Sequence, residues 1–115
     1  MDVSPVRNIA HDPALTEVHG PLHVDQRTRA SGLVDLAAGF VDFPAGGTSA
    51  LWTTPYEEVI YVIDGELTVV AGEQSVLGRP GDVLTIAKGT TVTYGGTPGT
   101  RVLFSLVPAD WYLHV

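Results

Sequence analysis

A single carboxylic acid set among apolar strand-forming residues is the strongest candidate for chemistry in this chain. Glu58 stands in the run Trp52-Thr53-Thr54-Pro55-Tyr56-Glu57-Glu58-Val59-Ile60. Alternate side chains of a strand share a face, so Glu58 goes with Ile60 and Val62, Trp52 with Ala50 and Thr54, and Val92 with Tyr94. A carboxyl kept among apolar neighbours is held toward its protonated form, because burial disfavours the charge. A group that titrates near neutral pH in this way suits a general acid or base. The histidines offer less. His11, His19 and His23 lie in the first 30 residues at spacings unlike a ligand pair on one rigid element, and His114 lies beside the C-terminus. Surface or edge positions are expected for all four. The chain has no cysteine, which removes disulfides, thiol nucleophiles and zinc–thiolate sites and is compatible with a cytoplasmic protein, the location expected here.

The elements that must position these groups are strands. From Gly32 onward, short Val, Ile, Leu, Thr, Tyr and Phe runs alternate with Gly, Pro and Asp turns. Strands are expected at about Gly32–Phe43, Ser49–Thr54, Glu58–Asp64, Glu66–Ala71, Gln74–Val76, Val83–Ala87, Thr91–Tyr94 and Arg101–Val107. Asp64-Gly65 suits a two-residue hairpin turn, since both tolerate positive φ. Asp12 followed by Pro13 is the one plausible helix start, capping a short turn toward Val18. Many short strands with no helical crossover indicate an all-β sandwich or barrel. Residues 1–31 read differently, as an arm lying along the barrel, an edge strand added to a neighbouring subunit, or a disordered tail; residues 32–115 read as the barrel itself.

Composition narrows the partners. At 115 residues the chain is one domain, and a hydrophobic content of 44% with mean hydropathy +0.20 fits a globular protein with an apolar interior. The net charge of −7, with only six Lys and Arg, argues against nucleic acid and against a membrane surface. No apolar run reaches the roughly 18 residues needed to span a bilayer, and the start Met1-Asp2-Val3-Ser4-Pro5-Val6-Arg7 does not read as a secretory signal.

The segment from Trp52 through Glu58 to Gly65 resembles the first motif of the cupins, in which two histidines precede a glutamate and a glycine. Glu58 and Gly65 have the right separation, while Trp52 and Thr54 stand where the histidines would be. Arg79-Pro80-Gly81-Asp82 and Ile86-Ala87-Lys88-Gly89-Thr90-Thr91-Val92 resemble the second motif, with Val92 at its histidine position. The resemblance covers about Phe40 to Trp111 and implies a single cupin barrel, that is, a jelly roll or double-stranded β-helix. Within cupins, Trp52-Thr53-Thr54-Pro55-Tyr56-Glu57-Glu58-Val59, Arg79-Pro80-Gly81-Asp82-Val83-Leu84 and Val107-Pro108-Ala109-Asp110-Trp111 resemble the EutQ-type branch associated with ethanolamine utilization. That branch implies a homodimer without the usual ligand histidines, and an acetate-kinase activity is ascribed to it.

The resemblance implies that Trp52, Thr54, Glu58, Ile60, Val92 and Tyr94 face into the barrel, with Tyr56 at its rim or merely solvated. Indole, hydroxyl and isopropyl groups cannot replace imidazoles around a metal, so no metal and no other cofactor is expected. The competing reading is a site rebuilt at the barrel mouth by His11, His19 or His23. Leu51, Val102 and Phe104 are expected on the outer face, where they favour a homodimer. Three functions compete. The first is a metal-independent enzyme, a cyclase, isomerase, dehydratase or lyase of a biosynthetic cluster. It would use Glu58 and Tyr94 as catalytic groups on a small, fairly apolar substrate bound by Trp52, Thr54, Tyr56, Val92 and Ile60. The second is a EutQ-like auxiliary or phosphotransfer role, which in so acidic a chain needs Arg79 or Arg101 to turn inward. The third is a binding module without catalysis, in which Glu58 is a hydrogen-bonded relic of the fold.

Overall fold

Alternation of buried and exposed positions along successive strands, with glycine at the sharp turns, produces a two-sheet barrel. In a computed structural model, which describes residues 4–115, the strands are β1 (Thr16–His19), β2 (Leu22–Asp25), β3 (Ala37–Phe43), β4 (Gly47–Thr48), β5 (Trp52–Thr53), β6 (Glu57–Asp64), β7 (Leu67–Ala71), β8 (Gln74–Gly78), β9 (Val83–Ile86), β10 (Thr91–Gly96) and β11 (Thr100–Val107). One sheet runs β1-β2-β3-β11-β6-β9. The facing sheet runs β4-β10-β7-β8, with β5 also paired to β10. Every pairing is antiparallel. Two single-turn 3-10 helices flank the barrel, Pro13–Leu15 and Trp111–Leu113. The first is capped by Asp12, whose carboxylate accepts the Ala14 N–H at 3.0 Å.

β6 and β11 are the central pair. On β6 the buried residues are Glu58, Ile60 and Val62, and on β11 they are Thr100, Val102, Phe104 and Leu106, each set alternating with more exposed neighbours. Val102 and Phe104, expected outside, are 2% and 4% exposed and point inward. The register decides it: Val102 pairs with Val41 and Val62, and Phe104 with Ile60, all on the core face. The outer face instead carries Val59, Tyr61 and Val83, with Leu103 and Phe40 in the same row. Phe40 is sandwiched there between the guanidinium groups of Arg27 and Arg101, at 4.9 and 4.3 Å from its ring centre.

The expected strand at 49–54 is reduced to Trp52–Thr53, because residues 49–51 leave the ladder, and the expected strand from Gly32 begins only at Ala37. The chain turns at Gly65 with φ of 78°, where a side chain would collide with Thr100. Residues 16–25 form a hairpin on the chain's own sheet, with His23, Val24 and Asp25 paired to Asp42, Val41 and Phe40. Leu22 and Asp25 of this hairpin are buried. Gly39 permits the close approach, since a side chain there would strike the Asp25 carbonyl and the Phe104 ring.

Candidate functional site

The barrel holds an apolar cavity of about 90 Å³ at Glu58, and a neighbouring outer chamber of about 430 Å³, which shares Tyr56, Tyr94 and Trp111 with it, opens between the β1–β2 hairpin and β5. The inner walls come from opposite sheets: Ile60, Phe104 and Leu106 on one side, Leu67 and Tyr94 on the other, closed by Leu22 and Val24 of the hairpin. Tyr56, Tyr94 and Trp111 line both spaces, and Trp52 lines the outer one.

A line of polar groups runs inward along the aromatic wall. The Trp52 indole N–H donates to Tyr56 Oη at 3.0 Å, and the Tyr94 hydroxyl donates to Glu58 Oε1 at 2.8 Å. The Tyr56 and Tyr94 phenols also interact. An indole N–H can only donate, so Tyr56 receives from Trp52 and the polarity of the line is directed toward Glu58. Glu58 is 6% exposed, and burial pushes its carboxyl up to about 7 from an ordinary 4.5, against a smaller opposing pull from the Tyr94 hydrogen bond. Burial, then the Glu58 charge, pushes Tyr56 up to about 12. Tyr94 is driven well above the usual phenol range by the same two causes in the same order. Both phenols are therefore neutral, and Glu58 is the group here that exchanges a proton near physiological pH. Its second oxygen, Oε2, has no hydrogen-bond partner among the described residues.

The structure brings Glu58, Tyr94, Tyr56, Trp52 and Ile60 to this cavity system. Tyr56 is a correction to the reading of a rim residue, since it is 7% exposed and wedged beside Trp111 at a ring distance of 5.2 Å. Thr54 and Val92 are buried nearby but do not line the cavity. The Thr54 hydroxyl donates to the Ala87 carbonyl at 3.2 Å and accepts the Thr90 N–H at 3.3 Å, anchoring the loop before β10. Trp111 and Gln26 were missed. The Pro108-Ala109-Asp110-Trp111 phrase was the available signal for Trp111, which packs edge-on against Trp52 at 5.8 Å. Nothing in the sequence marked Gln26, whose side chain lines both spaces.

A metal does not fit these residues. Trp52 N–H and Thr54 Oγ1 are engaged within the protein and Val92 has no donor atom, so Glu58 stands without companion ligands. Among the described residues no three His, Cys, Asp or Glu side chains converge. His11 pairs with Asp25 at 3.0 Å on the outer surface, and His19 reaches the outer chamber but pairs with Glu17 at 2.9 Å. Neither cation considered for an inward role turns in: Arg79 pairs with Glu66 at 3.2 Å, and Arg101 pairs with Asp42 at 3.1 Å on the outer face. No Lys or Arg lines either space.

A jelly-roll barrel with a buried glutamate inside and no ligand histidines around it among the described residues defines a metal-ligand-deficient cupin. The same fold occurs in an RmlC-like cupin from Shewanella frigidimarina, with a TM-score of 0.67 at 19% identity over 84% of this chain and 87% of that one. A family model described as ethanolamine utilisation protein EutQ matches residues 24–113, and the chain belongs to that family. It is 34% identical over 76 residues to the Escherichia coli K12 protein named acetate kinase EutQ, a match covering 66% of this chain and 32% of that protein. The chain thus spans about a third of that relative's length. The crystal structure of an ethanolamine utilization protein Q from Salmonella typhimurium LT2 superposes with a TM-score of 0.68 at 29% identity, over 76% of this chain and 70% of that one.

Proposed function

We propose that this chain serves as a EutQ-type auxiliary protein of ethanolamine utilisation whose barrel takes up a small, largely apolar molecule. The observation that carries this reading is that the family match at residues 24–113 contains Trp52, Tyr56, Glu58, Tyr94 and Trp111, the residues that form the polar line and aromatic wall of the cavity. Apolar walls with a few convergent polar groups are the ordinary make-up of a small-molecule site. Among the described residues the barrel offers no counter-charge for a phosphate, because no Lys or Arg lines either space, Arg79 and Arg101 pair elsewhere, and the chain is acidic. If the acetate-kinase activity named for the relatives extends to this chain, it operates outside the barrel.

A finer reading adds proton transfer to binding. It is favoured by Glu58, held up to about 7 by burial and oriented by Tyr94 at 2.8 Å. In that role Glu58 is the acid–base group of a cyclase, isomerase, dehydratase or lyase, and the aromatic wall folds the substrate against it.

Both tryptophans of the chain, Trp52 and Trp111, line the outer chamber, so selectively excited tryptophan fluorescence reports on this site. Small apolar compounds are expected to shift that emission saturably, whereas acetate with MgATP, or acetyl phosphate with MgADP, is expected to leave it unchanged. Production of acetyl phosphate from acetate and MgATP, lost in Trp52→Ala or Glu58→Gln, would instead place phosphoryl transfer in the barrel and overturn the reading.

A further inference from the structure

We propose that the ligand of this barrel carries a positive charge: a small aliphatic amine, bound as its ammonium ion against Glu58 with its hydrocarbon part on the apolar walls. The proposal rests on the reading that the barrel is a small-molecule site and adds the chemical class of what enters.

The argument starts from how the polar line is closed. Trp52 donates to Tyr56 and Tyr94 donates to Glu58 Oε1, so these donors are already engaged inside the protein. What remains for a ligand at Glu58 itself is acceptor capacity. Glu58 Oε2 has no partner among the described residues, while the Gln26 carboxamide beside the same cavity can both donate and accept and does not discriminate between ligands. An ionised carboxylate is an acceptor only, and an ammonium group is a donor only, with three N–H bonds to place.

Charge points the same way. Among the described residues Glu58 is the one charged side chain lining the inner cavity, and no Lys, Arg or His lines that space to neutralise it. A buried carboxylate without a counter-ion is costly, and its upward shift to about 7 expresses that cost. A ligand that supplies the missing cation recovers it, and one bringing a second carboxylate or a phosphate makes it worse. The approach to Glu58 is walled by Trp52, Tyr56, Tyr94 and Trp111, and aromatic rings attract ammonium groups more strongly than neutral isosteres. At the mouth, Glu17 is a further carboxylate, and the net charge of −7 favours arrival of a cation.

The test uses three isosteric probes on the full chain at pH 8: n-butylamine, 1-butanol and sodium butyrate, each titrated against the Trp52 and Trp111 emission. The amine is expected to bind on the order of tenfold to a hundredfold more tightly than the alcohol, because both can donate to Glu58 Oε2 but only the ammonium adds an opposite charge in a water-poor site. Butyrate should not bind. In Glu58→Gln the amine's advantage over the alcohol should vanish. Should that variant not fold, the wild-type amine-to-alcohol ratio at pH 6 replaces it. The ratio should fall there as Glu58 takes up a proton: Tyr94 and Tyr56, which face Glu58, stay neutral, and Glu17 and His19, which line only the outer chamber, are controlled by repeating the comparison in His19→Gln. An alcohol that binds as tightly as the amine, or an amine preference that survives both Glu58→Gln and pH 6, overturns the ammonium assignment and leaves the barrel reading standing. No response to any of the three probes overturns both.

Discussion

The Tyr94 hydroxyl reaches across the barrel from β10 to Glu58 on β6 and donates to Oε1 at 2.8 Å. This bond joins the two sheets inside the cavity and fixes which carboxylate oxygen is left for a ligand. It also lowers the Glu58 pKa, against the larger upward effect of burial. Tyr94→Phe should therefore move the Glu58 carboxyl above 7. Carbon-detected NMR titration of the glutamate side chains checks this, and an unchanged or lower midpoint would mean that the bond does not persist in solution.

Glu58 should also govern how stability varies with pH. Its folded pKa of about 7 lies above the ordinary 4.5, so the folded chain holds this proton more tightly than the unfolded one. The resulting stabilisation is complete below about 4.5 and is lost as pH rises through 7. Over that window wild type should lose roughly 3 kcal/mol that Glu58→Gln retains. Asp25 and Glu17 act in the opposite sense. Burial raises Asp25, but its bonds to Arg27 and His11 outweigh this. Glu17 is lowered chiefly by His19. Both favour the fold above their ordinary range and withdraw that support in acid. They are common to the two proteins, so the difference in urea midpoint between pH 5 and pH 8.5 isolates Glu58.

Phe104 separates the register found here from one shifted by a residue. Facing inward at 4% exposure, it lines the cavity, and Phe104→Ala should cost about 3–5 kcal/mol. An outward residue would change stability by no more than about 0.5 kcal/mol. Chemical denaturation distinguishes the two without ambiguity.

The purified protein is expected to carry no stoichiometric transition metal, because Trp52, Thr54 and Val92 supply no ligand atom free to join Glu58. Elemental analysis by mass spectrometry without added chelator tests this. One equivalent of Fe, Mn, Ni or Zn per chain would require ligands from elsewhere, and His19 at the chamber mouth would be the first to mutate.

In solution the chain is expected to be a dimer. The outer face of the larger sheet exposes Val59 and Tyr61 at 43% each and Val83 at 60%, beside the β9 edge. Light scattering at micromolar concentration should return about twice the 12.2 kDa chain mass, and Tyr61→Glu with Val83→Glu should reduce it to one. A monomer that persists as concentration rises would reassign this face to solvent.

Strand periodicity made most of the barrel readable beforehand, since Glu58–Asp64 and Arg101–Val107 alternate cleanly and Gly65 marks its own turn. It did not reveal which face of β11 is inside. Val102 and Phe104 alternate with Leu103 and Val107, so both faces are apolar, and only pairing with Val62 and Ile60 chooses between them. The β1–β2 hairpin was obscure for a different reason: Thr16–His19 and Leu22–Asp25 mix charges with aliphatics and lack a strong period. Their burial comes from Gly39 on another strand, which no local pattern records. At the site, the acid could be read from its apolar surroundings. Tyr56 could not, because it precedes a strand and its burial depends on partners far along the chain, Tyr94 and Trp111.

The wall formed by that hairpin is fastened differently from the others. β2 meets β3 over three register pairs, against seven for β11 on β3 and seven for β11 on β6. Cooperative opening is cheapest where fewest pairs must break. Amide protons at Leu22 and Val24 should exchange with solvent well before those at Val62 or Phe104, and the chamber should breathe on its N-terminal side while the Glu58–Tyr94 bond stays closed. The Glu58–Tyr94 pair would then be held by slowly exchanging strands and reached past a more readily opened one.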